Sequence, residues 1–333
     1  MYELEKNYGL IDLHLHLDGS LSISTVRELA QMQGIEIPEN EGELRRLLQV
    51  NEDCKDLNEY LEKFSFPCAL LQTKEAITKA VANLQEELKA QGLLYAEIRF
   101  APQLHTLQGL SQEGVVEAAI AGLKLSDFKA NLILCCMRGD HNHTQNIETV
   151  QAAAQYFGKG VCAVDLAGAE ALYPTSNFGD LFQLAKEKGL PYTIHAGEAD
   201  GPGSIRAALK LGANRLGHGI RSAEDAALVE RLAGEGITLE LCPTSNLNTN
   251  IFSDIHDYPL PQLMEAGVKV TINTDNMTVS GVSLRSEMEK VISAFSLTKE
   301  QIRCLIQNAA DASFASSLTK QWLNCEIDSM FRQ

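Results

Sequence analysis

Short apolar segments alternate with amphipathic segments along most of the chain, and this alternation predicts strands separated by helices. The stretch Ile11–Ser20 alternates apolar and polar residues, as a strand with a period of two does. Several of the predicted helices end at a glycine that leads into the next strand. The eight predicted strands are Gly9–Leu15, Leu93–Phe100, Ala130–Cys136, Val161–Leu166, Pro191–His195, Arg215–His218, Ile237–Leu241 and Val268–Thr274.

Eight strands that are each followed by a helix are typical of the α/β class and of the (β/α)8 TIM barrel, which commonly needs about 250 residues. The first β–α connection is elaborated, because residues 35–72 interrupt the rhythm. Apolar residues at near-helical spacing there predict either packed helices or an apolar lid over a site. Residues 286–333 predict extra C-terminal helices that close the barrel. Without internal repeats or a flexible linker, residues 1–333 predict a single domain.

The charge and cysteine content narrow the classes of partner and compartment. The net charge of −16 and the pI of about 4.9 argue against binding to nucleic acid or anionic lipid. No apolar run approaches the roughly 18–20 residues of a membrane span, and residues 1–8 lack the apolar region of a secretory signal. The eight cysteines form no C-x-x-C pair, and several lie in apolar runs. We expect buried free thiols and a cytoplasmic protein.

In such a barrel, reactive side chains lie at the carboxyl ends of the strands and come from distant parts of the chain. His14 and His16 share one face of the first strand, because residues i and i+2 of a strand point the same way. The fifth strand ends at His195, and the eighth runs into Asp275. Three histidines and one carboxylate suit a catalytic Zn²⁺ with room left for water. We therefore expect one metal ion at these four residues.

Two further residues at strand ends suit proton transfer near that metal. Glu198 lies three residues beyond His195, where a carboxyl group in an apolar pocket could give and take protons. His218 ends the sixth strand and could orient a water molecule. Each residue taken alone has an ordinary alternative, such as a buried hydrogen-bonded histidine or, for Asp275, a turn. His141 and His143 repeat the i, i+2 spacing, but their run is polar and loop-like, so we expect no metal there.

Taken together, these motifs resemble the adenosine and AMP deaminase family of zinc-dependent barrel metallo-hydrolases, and the resemblance runs nearly end to end. The residues that carry it are His14-Leu-His-Leu-Asp-Gly-Ser20, Tyr95-Ala-Glu-Ile-Arg-Phe100, Asp165-Leu-Ala-Gly168, His195-Ala-Gly-Glu198, Arg215-Leu-Gly-His-Gly219, Cys242-Pro-Thr-Ser-Asn246 and Asn273-Thr-Asp275.

The resemblance implies hydrolytic deamination of a purine nucleoside, with adenosine or 2′-deoxyadenosine converted to the inosine product and ammonia. It implies that one Zn²⁺ is bound by His14, His16, His195 and Asp275. It also implies that Glu198 donates a proton to purine N1 and that His218 assists the attacking water. The substrate-binding residues that it implies are His16, Asp18 near the ribose 5′-hydroxyl, the Gly168 backbone near purine N3, and Asn276.

Two positions bear on the substrate. Close relatives that act on free adenine usually carry Glu where this chain has Asp18, which favours a nucleoside. The family commonly has a second Asp that contacts purine N7, and here that position is Asn276.

Three alternatives remain open at the level of sequence. The first is deamination of adenine or a modified 6-aminopurine, and the second is a nucleoside-binding barrel without catalysis. The third is a hydrolase of esters or lactones, although such enzymes often use a second metal bridged by a modified lysine at the end of strand four. Here that strand ends in Asp165-Leu-Ala-Gly168.

Overall fold

The strands of the barrel position the candidate side chains. The computed structural model describes residues 4–5, 8–51 and 54–332. The strands are β1 Leu10–His16, β2 Leu93–Phe100, β3 Lys129–Met137, β4 Val161–Ala167, β5 Ile194–Ala196, β6 Arg215–His218, β7 Thr238–Leu241 and β8 Lys269–Ile272. All paired strands are parallel, in the orders β1-β2-β3-β4 and β5-β6-β7-β8.

Two single bridges close these two half-sheets into a barrel. Val164 on β4 pairs with Tyr192 just before β5, and Leu15 on β1 pairs with Asp275 just after β8. At the second closure, His16 N donates to Asp275 O at 2.8 Å, and Asp275 N donates to His14 O at 2.8 Å. The predicted (β/α)8 barrel is confirmed, and its last seam brings the carboxylate and the paired histidines together.

The helices lie between the strands and after the last of them. Their bounds are α1 Ile23–Gln33, α2 Glu41–Leu48, α3 Leu57–Leu61, α4 Ser65–Leu70, α5 Lys74–Ala90, α6 Gln112–Leu123, α7 His143–Tyr156, α8 Gly179–Glu187, α9 Pro202–Leu211, α10 Ala226–Glu235, α11 Pro243–Asn248, α12 Leu260–Glu265, α13 Leu284–Phe295, α14 Lys299–Ala312 and α15 Ser317–Phe331.

Helix α1 shows how local chemistry sets these bounds. Ser22 caps its N-terminus, because the side chain accepts from Thr25 N and so satisfies one of the free amide groups of the first turn. Gly34 ends the helix in the left-handed region with φ 64°, a conformation that costs glycine little.

The elaborated first connection, residues 35–72, contains α2, α3 and α4, and it combines the two predicted roles. Leu48 and Leu70 are buried in the main apolar core, as packed helices require. Leu57, Leu61 and Phe64 instead line the cavity at the carboxyl end of the barrel. The connection is therefore both a packed subdomain of the barrel wall and a cover for the cavity.

The cysteines follow the prediction only in part. Cys135, Cys136, Cys162 and Cys242 are buried and free, as expected for thiols in apolar runs. Cys304 and Cys325 are free but exposed, because they lie on α14 and α15 at the outside of the barrel; the expectation that all thiols are buried was wrong for them. No helix among the described residues is long and apolar enough to cross a membrane.

Candidate active site

The side chains at the ends of β1, β5 and β8 converge on one point. Oδ1 of Asp275 lies 3.4 Å from His14 Nε2 and 3.4 Å from His16 Nε2. His16 Nε2 lies 3.3 Å from His195 Nε2. Ligand atoms about 2.0–2.1 Å from a tetrahedral metal ion are about 3.3–3.4 Å from one another. The spacing of these four side chains therefore fits a small divalent cation.

Buried carboxylates fix the orientation of two of these imidazoles. His14 Nδ1 lies 2.8 Å from Glu240 Oε2, and His195 Nδ1 lies 2.9 Å from Asp165 Oδ2. Each contact leaves the Nε2 lone pair directed toward the cluster, the arrangement seen around protein-bound metals. Arg99 joins the two carboxylates, donating to Asp165 at 3.0 Å and to Glu240 at 2.8 Å.

The electrostatics of the cluster suit metal ligation. Burial lowers the pKa of His16 and His195, so both imidazoles are neutral and can offer a lone pair near pH 7. Burial alone would raise the pKa of Asp275, but the adjacent His14 holds it below its usual range, so the carboxylate is ionised. His14 Nε2 is buried and makes no hydrogen bond within the described part of the chain.

The cluster also includes His218, which the sequence placed beside the metal rather than on it. The ligand atoms of His14, His195, His218 and Asp275 all lie within 4.8 Å of one another. Asn246 Nδ2 donates to His218 Nδ1 at 3.1 Å, while Asn246 Oδ1 accepts from the Tyr258 hydroxyl at 3.0 Å. This amide orientation places the His218 proton on Nε2, which makes it a donor rather than a ligand.

Glu198 faces His218 from the loop after β5. Its Oε2 lies 3.6 Å from His218 Nε2, and the residue is buried. Burial, followed by the negative charges of Asp275 and Glu170, raises the pKa of Glu198 well above its usual value. A carboxyl group in this state can donate a proton at neutral pH.

Two of these residues have backbones in the left-handed region. His218 has φ 55° and Asp275 has φ 59°, conformations that side chains other than glycine rarely adopt. His218 is the last residue of β6, and Asp275 lies three residues after the end of β8. Such backbone strain occurs where a side chain has to be aimed at a functional site.

A cleft of about 810 Å³, part of it open to solvent, lies over the cluster. Its wall combines the reactive side chains with apolar residues from the first connection and from β2, β3 and β4. Its lining residues are His16, Asp18, Leu57, Tyr60, Leu61, Phe64, Ala101, Leu104, Cys135, Met137, Ala167, Gly168, His195, Glu198, His218, Asp275 and Asn276. A mostly apolar wall with a few convergent polar groups is typical of a small-molecule site.

Asp18 and Asn276 both line this cleft, and each has a buried oxygen atom without a hydrogen bond to a described residue. Asp18 Oδ1 is buried without a hydrogen bond to any described residue, and Cys68 Sγ approaches Oδ2 at 3.6 Å. Burial raises the pKa of Asp18 to about 6. Asn276 Oδ1 packs so closely on Gly19 that a Cβ at that glycine would come within 1.9 Å of it. The Asn276 amide nitrogen is therefore on the side away from Gly19.

Comparison with known proteins identifies the family. The adenosine deaminase family model matches residues 10–330. The chain belongs to the adenosine deaminase family. It is 46% identical to an adenosine deaminase of Haemophilus ducreyi over 98% of this chain and 97% of that protein. This finding confirms the family that the motifs indicated.

Solved structures of the same fold are named for other substrates. An adenine deaminase of Arthrobacter aurescens matches with a TM-score of 0.86 at 30% identity, covering 97% of this chain and 99% of that one. An N6-methyl-AMP deaminase of Arabidopsis thaliana matches with a TM-score of 0.85 at 27% identity, covering 98% of both chains. Fold and family alone therefore leave the choice among 6-aminopurines to the residues that line the cleft.

Sequence reasoning overlooked several residues that organise this deaminase-family site. Glu170, Glu240 and Arg99 are buried charged residues. For Arg99 on β2 and Glu240 on β7, a charge inside an apolar strand run was the available signal, whereas Glu170 lies in the segment after β4 and gave no such signal. Four other histidines do not join the site: His105 is buried elsewhere, and His141, His143 and His256 are exposed.

Proposed function

We propose that the chain catalyses the hydrolytic deamination of adenosine and 2′-deoxyadenosine to inosine and 2′-deoxyinosine with release of ammonia. The observation that carries this proposal is the juxtaposition in one cleft of a histidine–aspartate cluster with metal spacing and a buried carboxyl group, that of Glu198, whose pKa is raised well above its usual value by burial. Membership of the adenosine deaminase family supports it.

We propose one Zn²⁺ per chain, bound by His14, His16, His195 and Asp275. Nitrogen-rich ligand sets with one carboxylate suit Zn²⁺, and the donor separations of 3.3–3.4 Å suit a tetrahedral site. A bound Zn²⁺ supplies Lewis acidity that makes water a competent nucleophile near neutral pH. A candidate second metal site at the end of β4 has no support, because Asp165 is engaged with Arg99 and His195.

The remaining steps belong to side chains of this protein. Glu198 donates its proton to purine N1, which lets C6 accept a water oxygen without the ring nitrogen becoming an anion. His218, with its proton on Nε2, donates a hydrogen bond to the oxygen that adds at C6. The C6–N6 bond then breaks as one proton of the water passes to the leaving amine and the other restores the Glu198 carboxyl group, so that ammonia leaves and the 6-oxo purine keeps the proton at N1. The net reaction is nucleoside plus water to inosine product plus ammonia.

The cleft favours a nucleoside over its 5′-phosphate and over the free base. Asp18 offers an unpaired carboxyl oxygen, which suits a ribose hydroxyl donor and repels a phosphate. Among the described residues that line the cleft, none is Lys or Arg. Adenine is the second candidate, because the Arthrobacter aurescens structure is named an adenine deaminase.

Ultraviolet monitoring of adenosine conversion to inosine by zinc-loaded protein tests the reaction directly. Initial rates on adenosine, 2′-deoxyadenosine, adenine and AMP rank the substrates, and metal analysis counts the bound ion. We expect turnover of both nucleosides, one Zn²⁺ per chain and loss of activity after chelation. Preference for adenine, two metal equivalents or full activity after thorough chelation would each contradict the proposal.

We also propose that residues 1–333 form one domain and that the protein is cytoplasmic. The main apolar core runs from Leu4 to Ile327, which supports a single folding unit. Cys68, Cys135, Cys136, Cys162, Cys242, Cys304 and Cys325 are free thiols, which is usual in a reducing compartment.

A further inference from the structure

Glu170, in the segment after β4, is the most extensively hydrogen-bonded carboxylate near the cleft that has no role in the proposed chemistry. It is 1% exposed. Its Oε1 accepts from Gly197 N at 2.7 Å and from the Ser204 hydroxyl at 2.5 Å. Its Oε2 accepts from the next three amide groups, those of Glu198, Ala199 and Asp200, at 2.9, 2.8 and 3.0 Å. One carboxylate therefore binds four consecutive backbone amides.

Those amides belong to the loop between β5 and α9, residues 197–201, which carries Glu198. The loop begins at Gly197 with φ 76°, where a Cβ would come within 2.4 Å of Ile205. A loop that turns this sharply has amide groups pointing inward, and they need an acceptor once buried. Glu170 meets this need, and its charge makes each hydrogen bond stronger than one to a neutral acceptor.

Glu170 also connects the two sides of the cleft. It lies two residues after Gly168, which lines the cleft with φ 104°. The segment that presents Gly168 is thereby joined, through one side chain, to the loop that presents Glu198. In the proposed function these two residues contact the same six-membered ring, one at N3 and the other at N1.

We propose that Glu170 is a positioning residue for the deamination: it sets the place of the Glu198 carboxyl group by binding the four amides around it. The proposal rests on the proposed function, because it assigns Glu198 to proton transfer. A misplacement of about 1 Å at a reacting group can cost about 10²-fold in rate. Glu170 does not touch the substrate, and its effect passes through Glu198.

The test is a double-mutant cycle that crosses Glu170→Gln with Glu198→Gln. The glutamine amide nitrogen cannot accept a hydrogen bond, so one of the two acceptor atoms is lost. We expect kcat for adenosine to fall about 10²-fold in the single Glu170→Gln variant. In the Glu198→Gln background the same change should cost less than about threefold, because the group that it positions is already disabled.

Glu287→Gln is the matched control, since Glu287 is 1% exposed and accepts from Thr244 N at 2.8 Å but does not line the cleft. It should keep kcat within about threefold of wild type. Ser204→Ala, which removes only one of the five hydrogen bonds to Glu170, is the milder variant if Glu170→Gln folds poorly. We expect a loss of a few-fold that also vanishes in the Glu198→Gln background.

The zinc content should stay at one equivalent in every variant, since none removes a proposed ligand. An equal fold-loss in both backgrounds would show a general structural role and overturn the proposal, as would a Glu170→Gln enzyme within threefold of wild type. Wild-type protein that fails to deaminate adenosine would overturn the proposed function itself, and the inference would fall with it.

Discussion

At the scale of single residues, each reactive side chain contacts a neighbouring side chain that restricts its chemical role. Glu240 and Asp165 turn the Nε2 atoms of His14 and His195 toward the cluster. Asn246 gives His218 the opposite character, a donor at Nε2. Chemically identical imidazoles thus take different roles because their second nitrogen atoms have different partners.

Glu198→Gln should keep the fold and the zinc but remove the proton donor. General acid–base catalysis typically contributes 10²–10⁴-fold, so we expect kcat to fall by about that factor. Because burial raises the pKa of Glu198, its carboxyl group stays protonated at pH values above the usual pKa range of glutamate. Titration of this group should therefore lower kcat of the wild-type enzyme only on the alkaline side of the pH profile. Stopped-assay rates across pH would check this, and a variant that keeps the same alkaline limb would contradict the assignment.

Asn276 is expected to donate its amide to purine N7. Its Oδ1 faces Gly19, which leaves the nitrogen as the available donor, and an amide donates at any pH without a shifted pKa. Leaving N7 buried and unpaired should cost about 1–3 kcal/mol. Comparison of kcat/KM for adenosine and 7-deazaadenosine checks this: wild type should discriminate strongly and Asn276→Ala much less. Equal discrimination by both proteins would remove Asn276 from N7.

Asp18→Ala should weaken turnover of adenosine more than that of adenine, because only the nucleoside has a ribose hydroxyl for Asp18 to accept from. Loss of one buried hydrogen bond to a charged group corresponds to about 1.5–3 kcal/mol in kcat/KM. The ratio of the two kcat/KM values is the measurement. The same fractional loss on both substrates would place Asp18 outside the ribose pocket.

Helix α3 connects the part of the chain that covers the cleft to the segment after β8. Tyr60 on this helix is buried, and its hydroxyl lies 2.7 Å from Ser280 Oγ in the segment after β8. Leu57 and Leu61, on the same short helix, line the cleft. A helix of five residues has little stability of its own, so this tertiary hydrogen bond helps to hold α3 in its position.

Tyr60→Phe should loosen this cover without altering the reacting groups. Loss of the hydrogen bond corresponds to about 0.5–1.5 kcal/mol, so we expect KM for adenosine to rise roughly two- to tenfold with kcat within about twofold. Tyr156→Phe removes a tyrosine hydroxyl that is bonded at the surface to Glu117 and is the matched control. Unchanged KM in Tyr60→Phe, or an equal change in the control, would contradict a role in covering the cleft.

At the scale of the whole molecule, the interior of the barrel contains a network of buried ion pairs. Arg99 and Arg215 are both buried, and they share Glu240, while Arg215 also pairs with Glu97 at 2.6 Å. The network continues from the histidines of the candidate metal cluster through the barrel to Ala312, whose carbonyl accepts from Arg215 at 3.0 Å. Buried ion pairs therefore link the barrel wall to the candidate metal cluster.

Arg99→Met should damage both stability and metal binding. Removing one partner of a buried ion pair typically costs about 3–5 kcal/mol, and losing the support of metal-binding residues typically costs 10–100-fold in affinity. Urea unfolding and chelator competition for Zn²⁺ measure the two effects. Arg303→Met, which removes an exposed pair with Asp328, should cost under about 1 kcal/mol and leave zinc affinity unchanged. Wild-type zinc affinity in Arg99→Met would refute the coupling.

Local pattern was enough to predict the barrel and the strand ends that carry chemistry. Periodicity of apolar residues reports which face of each strand and helix is buried, and the barrel rule then gathers the carboxyl ends of the strands at one face. His14, His16, His195, Glu198, His218 and Asp275 were found in this way, as polar residues that interrupt or end apolar runs.

Only the tertiary structure decided which residues contact each other across the barrel. The closing bridge between Leu15 and Asp275 joins residues 260 positions apart, and no local pattern encodes it. The tautomer of His218 depends on Asn246, and the backbone amide of Glu198 donates to Glu170, which lies in a different part of the chain, the segment after β4. A sequence shows which groups can react, but their pKa values and directions depend on burial and on charges that meet only when the chain has folded.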